Sequence, residues 1–322
     1  MIVKIIHLGG TFSMVRDKGY FRVEAGTLVK NLQNCKELNH GSEKSHFYQK
    51  NNRRLDYTIY EYSVKDSSEL KLSDCIDLSL HIKTDYMNYD GFIVICGTDT
   101  MSYISSALSF LIENLDKPIV FTGSMVPFIE PNSDAISNLK GTFESFFNNL
   151  VPNVYIYFSN ALMQANRTTK IDSSKFAAYA TKFAIPLKAN GPLKFYNDLN
   201  SNVALVKLYP EMKLEVLENI LKSHKGVVLE SYGAGNIPKY LLDTLKIYSE
   251  KKIIINISQC VYGIASTSYE NGSFLSTDTM VFCGEDMTVE AAMMKLCFLL
   301  ANYDGQEARK LVCKSIRGEL SN

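Results

Sequence analysis

The sequence predicts an α/β protein of two domains, each built on a mostly parallel sheet with helices layered against it and the larger domain N-terminal. Three observations carry this reading. Short apolar runs alternate with stretches of helical spacing along most of the chain, the rhythm of parallel sheets. Residues 92–96, Phe-Ile-Val-Ile-Cys, lack polar alternation, as a strand buried on both faces does. Residues 181–202 interrupt the rhythm with Pro186, Gly191-Pro192 and repeated asparagine, which marks a connection. The expected division is an N-terminal domain over 1–185, a linker over 186–202 and a C-terminal domain over 203–322.

Taken in order, residues 2–8 form a first strand that stops at Gly9-Gly10-Thr11. Residues 11–23 read as a mobile polar loop and 25–38 as a short helix. Residues 39–56, with Asn51-Asn52-Arg53-Arg54, read as a solvated loop or insertion. Residues 57–64 alternate as a strand, followed by Asp66-Ser67-Ser68-Glu69 and a helix over 70–86. The buried strand at 92–96 ends at Gly97, and Thr98, Asp99 or Thr100 can each cap the helix that 101–115 predicts. A strand at 118–123 reaching Ser124, a helix at 132–148 and a strand at 153–158 complete the first domain. In the second, strands at 203–209, 226–230 and 252–257 alternate with helices at 213–223 and 239–249, and helices at 288–302 and 305–315 close the chain.

Composition bounds the function. The 34 basic and 34 acidic residues cancel, so nothing points to nucleic acid or a membrane surface. No apolar run approaches membrane-spanning length, and residues 1–8 lack a signal-peptide pattern, so the expected location is the cytoplasm. The seven cysteines are odd in number and none pair at Cys-x-x-Cys spacing, so zinc and redox-motif readings have no support. Gly233-Ala-Gly-Asn-Ile-Pro238 begins like a dinucleotide fingerprint but has proline in place of the third glycine. Hydroxyls recur at strand ends (Thr11, Ser67, Thr98, Ser124), and a parallel sheet brings those ends to one edge, where ligands bind. Apart from His7, no histidine lies near them, so a Ser-His-Asp triad has no obvious base. A threonine hydroxyl needs a group to take its proton, and Lys170, Tyr20 and Asp99 are the candidates.

These residues resemble a known family. Gly9-Gly10-Thr11, Gly19-Tyr20, Asp66-Ser67-Ser68-Glu69, Gly97-Thr98-Asp99-Thr100, Asn166-Arg-Thr-Thr-Lys170, Ser231-Tyr-Gly-Ala-Gly-Asn236 and Arg317-Gly-Glu-Leu320 occur in the order seen in L-asparaginases of the bacterial cytoplasmic type I branch. The resemblance runs essentially end to end. It implies hydrolysis of the asparagine side-chain amide to aspartate and ammonia, without metal or organic cofactor. Thr11 would attack the amide carbon with Tyr20 beside it, forming a β-aspartyl ester that water cleaves. Thr98 and Lys170 would activate the hydroxyl or the water, and Asp99 would hold the substrate α-ammonium. Ser67 would take the α-carboxylate, with Ser68 and Asn236 as further substrate contacts. The family also implies a homodimer or homotetramer.

Two other readings stand beside it: a partner-dependent amidase subunit of the transfer-RNA amidotransferase type, and a non-catalytic amino-acid sensor. Three departures stand out. Residue 8 is Leu where many relatives carry Thr, and the polar stretch at 39–56 is longer than expected. Glu230 stands before Ser-Tyr-Gly, where relatives with an allosteric asparagine site carry arginine, so asparagine activation is expected to be lost or altered.

Overall fold

The computed structural model describes residues 1–42, 45–185, 189–266 and 280–321. By contact the chain divides into two units, Met1–Thr181 with Lys188–Phe195, and Lys182–Leu187 with Tyr196–Asn322. Of the expected linker, 186–188 lie outside the described residues.

The first unit contains β1 (Ile2–Gly9), β2 (Met14–Asp17), β3 (Tyr20–Val23), α1 (Thr27–Asn34), β4 (His46–Lys50), β5 (Arg53–Lys65), α2 (Leu72–Asp85) and β6 (Gly91–Ile95). It continues with α3 (Met101–Leu111), β7 (Ile112–Glu113), β8 (Ile119–Thr122), α4 (Ala135–Phe146), β9 (Val154–Phe158), β10 (Ala161–Gln164), β11 (Thr168–Lys170), β12 (Tyr179–Thr181) and β13 (Lys194–Phe195). Seven strands form one sheet in the order β10-β9-β8-β6-β1-β5-β4. The inner five run parallel, and β10 and β4 are antiparallel edges. Every residue of β6 is buried, as its unbroken apolar run predicts. Val3, Ile5, Ile93, Ile95 and Val120 pack with Leu139 and Phe143 of α4 in one apolar core.

Parallel register decides where the site falls. His7 pairs with Ile95, and Gly9 with Lys65, so the chain leaves β1, β5 and β6 at the same sheet edge. The residues that follow are Gly10-Thr11, Asp66-Ser67 and Gly97-Thr98.

Two expectations are corrected here. The stretch 11–23 is not an irregular polar loop: a 3₁₀ turn over Thr11–Ser13 leads into a hairpin of β2 and β3. Lys18 (φ 47°) and Gly19 (φ 93°) supply the two positive φ angles that a tight hairpin turn needs. Apart from residues 43–44, which are not described, the stretch 39–56 is not all loop either. It contains β4 and the start of β5, joined through Asn51 (φ 49°) and Asn52 (φ 61°), a residue type that tolerates left-handed backbone. Tyr48 and Leu55 of this hairpin are buried in the core, which the surrounding polar residues conceal in the sequence. Arg54 lies over the Phe47 ring at 3.9 Å and pairs with Asp56, so its charge serves the strand.

The second unit contains β14 (Val203–Lys207), α5 (Leu214–Ser223), β15 (Gly226–Ser231), α6 (Lys239–Ser249), β16 (Ile253–Ser258), β17 (Val281–Cys283), α7 (Val289–Asn302) and α8 (Gly305–Val312). Its four strands are parallel in sequence order. The three-residue β17 is too short for its pattern to have been read from sequence.

The end of the chain is held by a buried ion pair. Lys295 on α7 and Glu319 are both fully buried, with Nζ 2.6 Å from Oε1. Lys295 also donates to the carbonyls of Val312 (2.7 Å) and Lys314 (2.6 Å), and Glu319 accepts the Ile316 and Arg317 N–H groups. Burial pulls the Lys295 pKa down, and the Glu319 charge opposes that shift. The Arg-Gly-Glu-Leu motif is therefore a structural anchor. Glu319→Ala leaves an ammonium buried without its counter-charge, so unfolding in denaturant should show a loss of about 3–5 kcal/mol. Unchanged stability would mean that the pair contributes nothing.

Candidate active site

The three turns at the sheet edge meet backbone against backbone. Gly10 donates its N–H to the Lys65 carbonyl at 2.9 Å. A Cβ on Gly10 would lie 2.2 Å from Gly97 Cα, and one on Gly97 would lie 2.7 Å from Ser67 Oγ. Gly10 also has φ 81°, which L side chains rarely adopt. Glycine at these two positions lets the turns after β1, β5 and β6 close on each other. Thr11 follows directly, half-buried at the start of its 3₁₀ turn. Among the described residues its hydroxyl makes no hydrogen bond, so it remains available to a ligand.

Thr98, Asp99 and Lys170, which the resemblance groups together, meet at this edge. Lys170 Nζ lies 2.7 Å from Thr98 Oγ1 and 2.6 Å from Asp99 Oδ1. Thr98 is 5% exposed. The Asp99 side chain is 69% exposed, so its other oxygen faces solvent. The lysine comes from β11, which pairs with β12 in a separate two-stranded ribbon. Its partner in register is Tyr179, whose hydroxyl donates to the Thr98 carbonyl at 2.6 Å.

The expectation that this turn caps α3 is corrected. The N-cap position is Thr100, and its side chain makes no capping bond. Its hydroxyl instead donates to the Ser67 carbonyl at 2.9 Å. The turn is fixed by bonds to distant elements, and Thr98 and Asp99 turn their side chains to Lys170 and not to the helix end.

The remaining candidates divide. Ser67 is buried against Gly97 at the meeting point. Ser68 is exposed, with both its N–H and its hydroxyl bonded to Asp66 Oδ1, as a 3₁₀ N-cap requires. Tyr20 does not join the cluster: it stands on the β2–β3 hairpin, 58% exposed, with no hydrogen bond from its hydroxyl among the described residues. Arg16 on the same hairpin grips Glu130 through two bonds of 2.7 and 2.8 Å. Asn236 belongs to the second unit, in a tight turn where its N–H donates to the Tyr232 carbonyl at 2.9 Å. Cys96 is fully buried and its thiol pKa is pushed well up, so no thiolate competes with the hydroxyls here. Among the described residues no three His, Cys, Asp or Glu side chains gather as a metal-ligand set.

A threonine with an unbonded hydroxyl, on a turn packed against the turn that carries Thr98 and Asp99, suits nucleophilic attack on a carbonyl, with the Lys170 amine as proton carrier. Two family models account for most of the chain. The one described as "Asparaginase, N-terminal" matches residues 2–200, and "Glutaminase/Asparaginase C-terminal domain" matches residues 202–312. The chain belongs to the asparaginase family. L-asparaginase 1 of Escherichia coli K12 is 34% identical to it over 99% of this chain and 98% of its own length. An L-asparaginase of Dirofilaria immitis is also 34% identical over 99% of this chain, which spans 60% of that longer protein. The crystal structure of L-asparaginase I from Vibrio cholerae superposes with a TM-score of 0.87 at 30% identity, covering 100% of this chain and 99% of that one.

Within this asparaginase frame, sequence reasoning missed Tyr179 and the Thr100–Ser67 bond. Tyr179 stands in no motif, and only the β11–β12 pairing brings it to Thr98. No helix among the described residues is long and apolar enough to cross a membrane.

Proposed function

We propose that this protein hydrolyses the side-chain amide of L-asparagine to L-aspartate and ammonia, with the N-terminal domain over 1–185 carrying most of the site. Thr11 Oγ1 forms a bond to the amide carbon as its proton leaves. The C–N bond then breaks, and the departing nitrogen takes a proton and goes as ammonia. Water attacks the resulting β-aspartyl ester and frees the Thr11 oxygen. Lys170, joined to Thr98 Oγ1 at 2.7 Å, carries protons in both steps, and this contact is the observation on which the reading rests. The solvent-facing oxygen of Asp99 suits the substrate α-ammonium, with Ser67 and Ser68 at the α-carboxylate and Tyr20 closing over Thr11. The protein works in the cytoplasm as a homodimer or homotetramer.

Steady-state ammonia release from the purified chain, against asparagine and glutamine, tests this. Turnover of asparagine without a partner protein is expected; saturable binding with no ammonia would favour a sensor. The rate curve should be hyperbolic. Glu230 is partly buried on β15, with burial raising its carboxyl pKa and Lys207 Nζ 3.9 Å away opposing the shift. A carboxyl group there does not offer the cation that an effector carboxylate requires. Sigmoidal kinetics with asparagine would contradict this.

A further inference from the structure

Thr98 is held from both ends by one ribbon. Lys170 and Tyr179 are directly opposed on antiparallel β11 and β12. Opposed residues in such a ladder project their side chains to the same face. The amine therefore reaches the Thr98 side chain (2.7 Å) while the phenol reaches its main-chain carbonyl (2.6 Å). The phenol is itself oriented, since its ring meets Phe158 of β9 edge-on at 5.1 Å and 65°. On the other side of the turn, Thr100 bonds to Ser67. The turn lacks a side-chain cap of its own at α3, so these long-range bonds replace local capping.

We propose that Tyr179 is a positioning residue for the amide hydrolysis, setting the height of the Thr98 backbone so that Oγ1 stays within reach of both Lys170 and the reacting atoms. This deepens the reading of Thr98 as a catalytic group and rests on it. A hydrogen bond of this kind acts on geometry. The Tyr179 hydroxyl touches a main-chain oxygen, so its loss releases the turn and removes none of the reacting groups. Small displacements of reacting groups are costly in rate, because attack demands near-contact distance and alignment. Substrate affinity, set by contacts at the α-ammonium and α-carboxylate, should change little.

Tyr179→Phe removes the hydroxyl and keeps the ring against Phe158, so the protein should fold. The expected result is a kcat lower by about tenfold, with KM for asparagine within about twofold and a melting temperature within a few degrees of the parent. A purely structural tyrosine would lower the melting temperature and leave kcat unchanged, and that outcome overturns the proposal. Tyr179→Leu, which loses hydroxyl and ring together, should match the phenylalanine variant in kcat per folded molecule. Thr98→Val is measured in parallel. If it retains full turnover, the catalytic reading of Thr98 fails. If it is inactive while Tyr179→Phe matches the parent, the positioning role alone fails.

Discussion

Thr11→Val is expected to leave the fold intact and to lower kcat for asparagine by about 10,000-fold or more. The two side chains have nearly the same shape, and the Thr11 hydroxyl makes no hydrogen bond among the described residues, so little stability depends on it. The stability change should stay below about 1 kcal/mol. The rate effect follows from chemistry: without the oxygen no acyl bond forms, and the remaining groups can only polarise the amide for direct attack by water. Losses of this size accompany removal of a nucleophile whose partners act with it as a unit. Thermal unfolding and ammonia release on one preparation separate the two effects. Comparable activity in the variant would remove Thr11 from its role.

Lys170→Met should be nearly as severe, with kcat lower by about 1,000-fold while asparagine still shifts the melting temperature. Methionine fills similar space without the amine, so Thr98 Oγ1 and Asp99 Oδ1 both lose their partner. The cost in stability is small, because the Asp99 side chain is 69% exposed and such pairs contribute little in water. A general acid–base group typically contributes about 100- to 10,000-fold, and this one is used in both half-reactions. Normal turnover in this variant would break the second half of the site.

Much of the site could be read from the sequence because its parts are local. Gly9-Gly10-Thr11 and Gly97-Thr98-Asp99 each end a buried apolar strand, and parallel register carries both to one edge. Lys170 is harder to place: its ribbon lies outside the main sheet, and family resemblance rather than periodicity pointed to it. Tyr179 was invisible because a two-stranded ribbon of three residues each leaves no pattern longer than the noise. The β2–β3 and β4–β5 hairpins were hidden by polarity. Their turns use Lys18-Gly19 and Asn51-Asn52; the first hairpin buries none of its residues, and in the second Tyr48 and Leu55 settle in the core among polar neighbours. The Thr98–Thr100 turn misled in the opposite direction. Three good capping residues in a row suggested a local cap, yet Thr100 and Asp99 are committed to Ser67 and Lys170. The Arg317–Leu320 motif carries no visible chemistry in the sequence, and the buried pairing of Glu319 with Lys295 gives it a structural role.

The covalent step can be examined directly. Enzyme mixed with asparagine is quenched in acid within the first turnover, digested, and its peptides weighed. An increment equal to one aspartyl group should appear on the peptide containing Thr11, and should vanish in Thr11→Val and when asparagine is left out. The same increment on the Thr98 peptide, or ammonia released in full with no labelled peptide at any quench time, would contradict attack by Thr11.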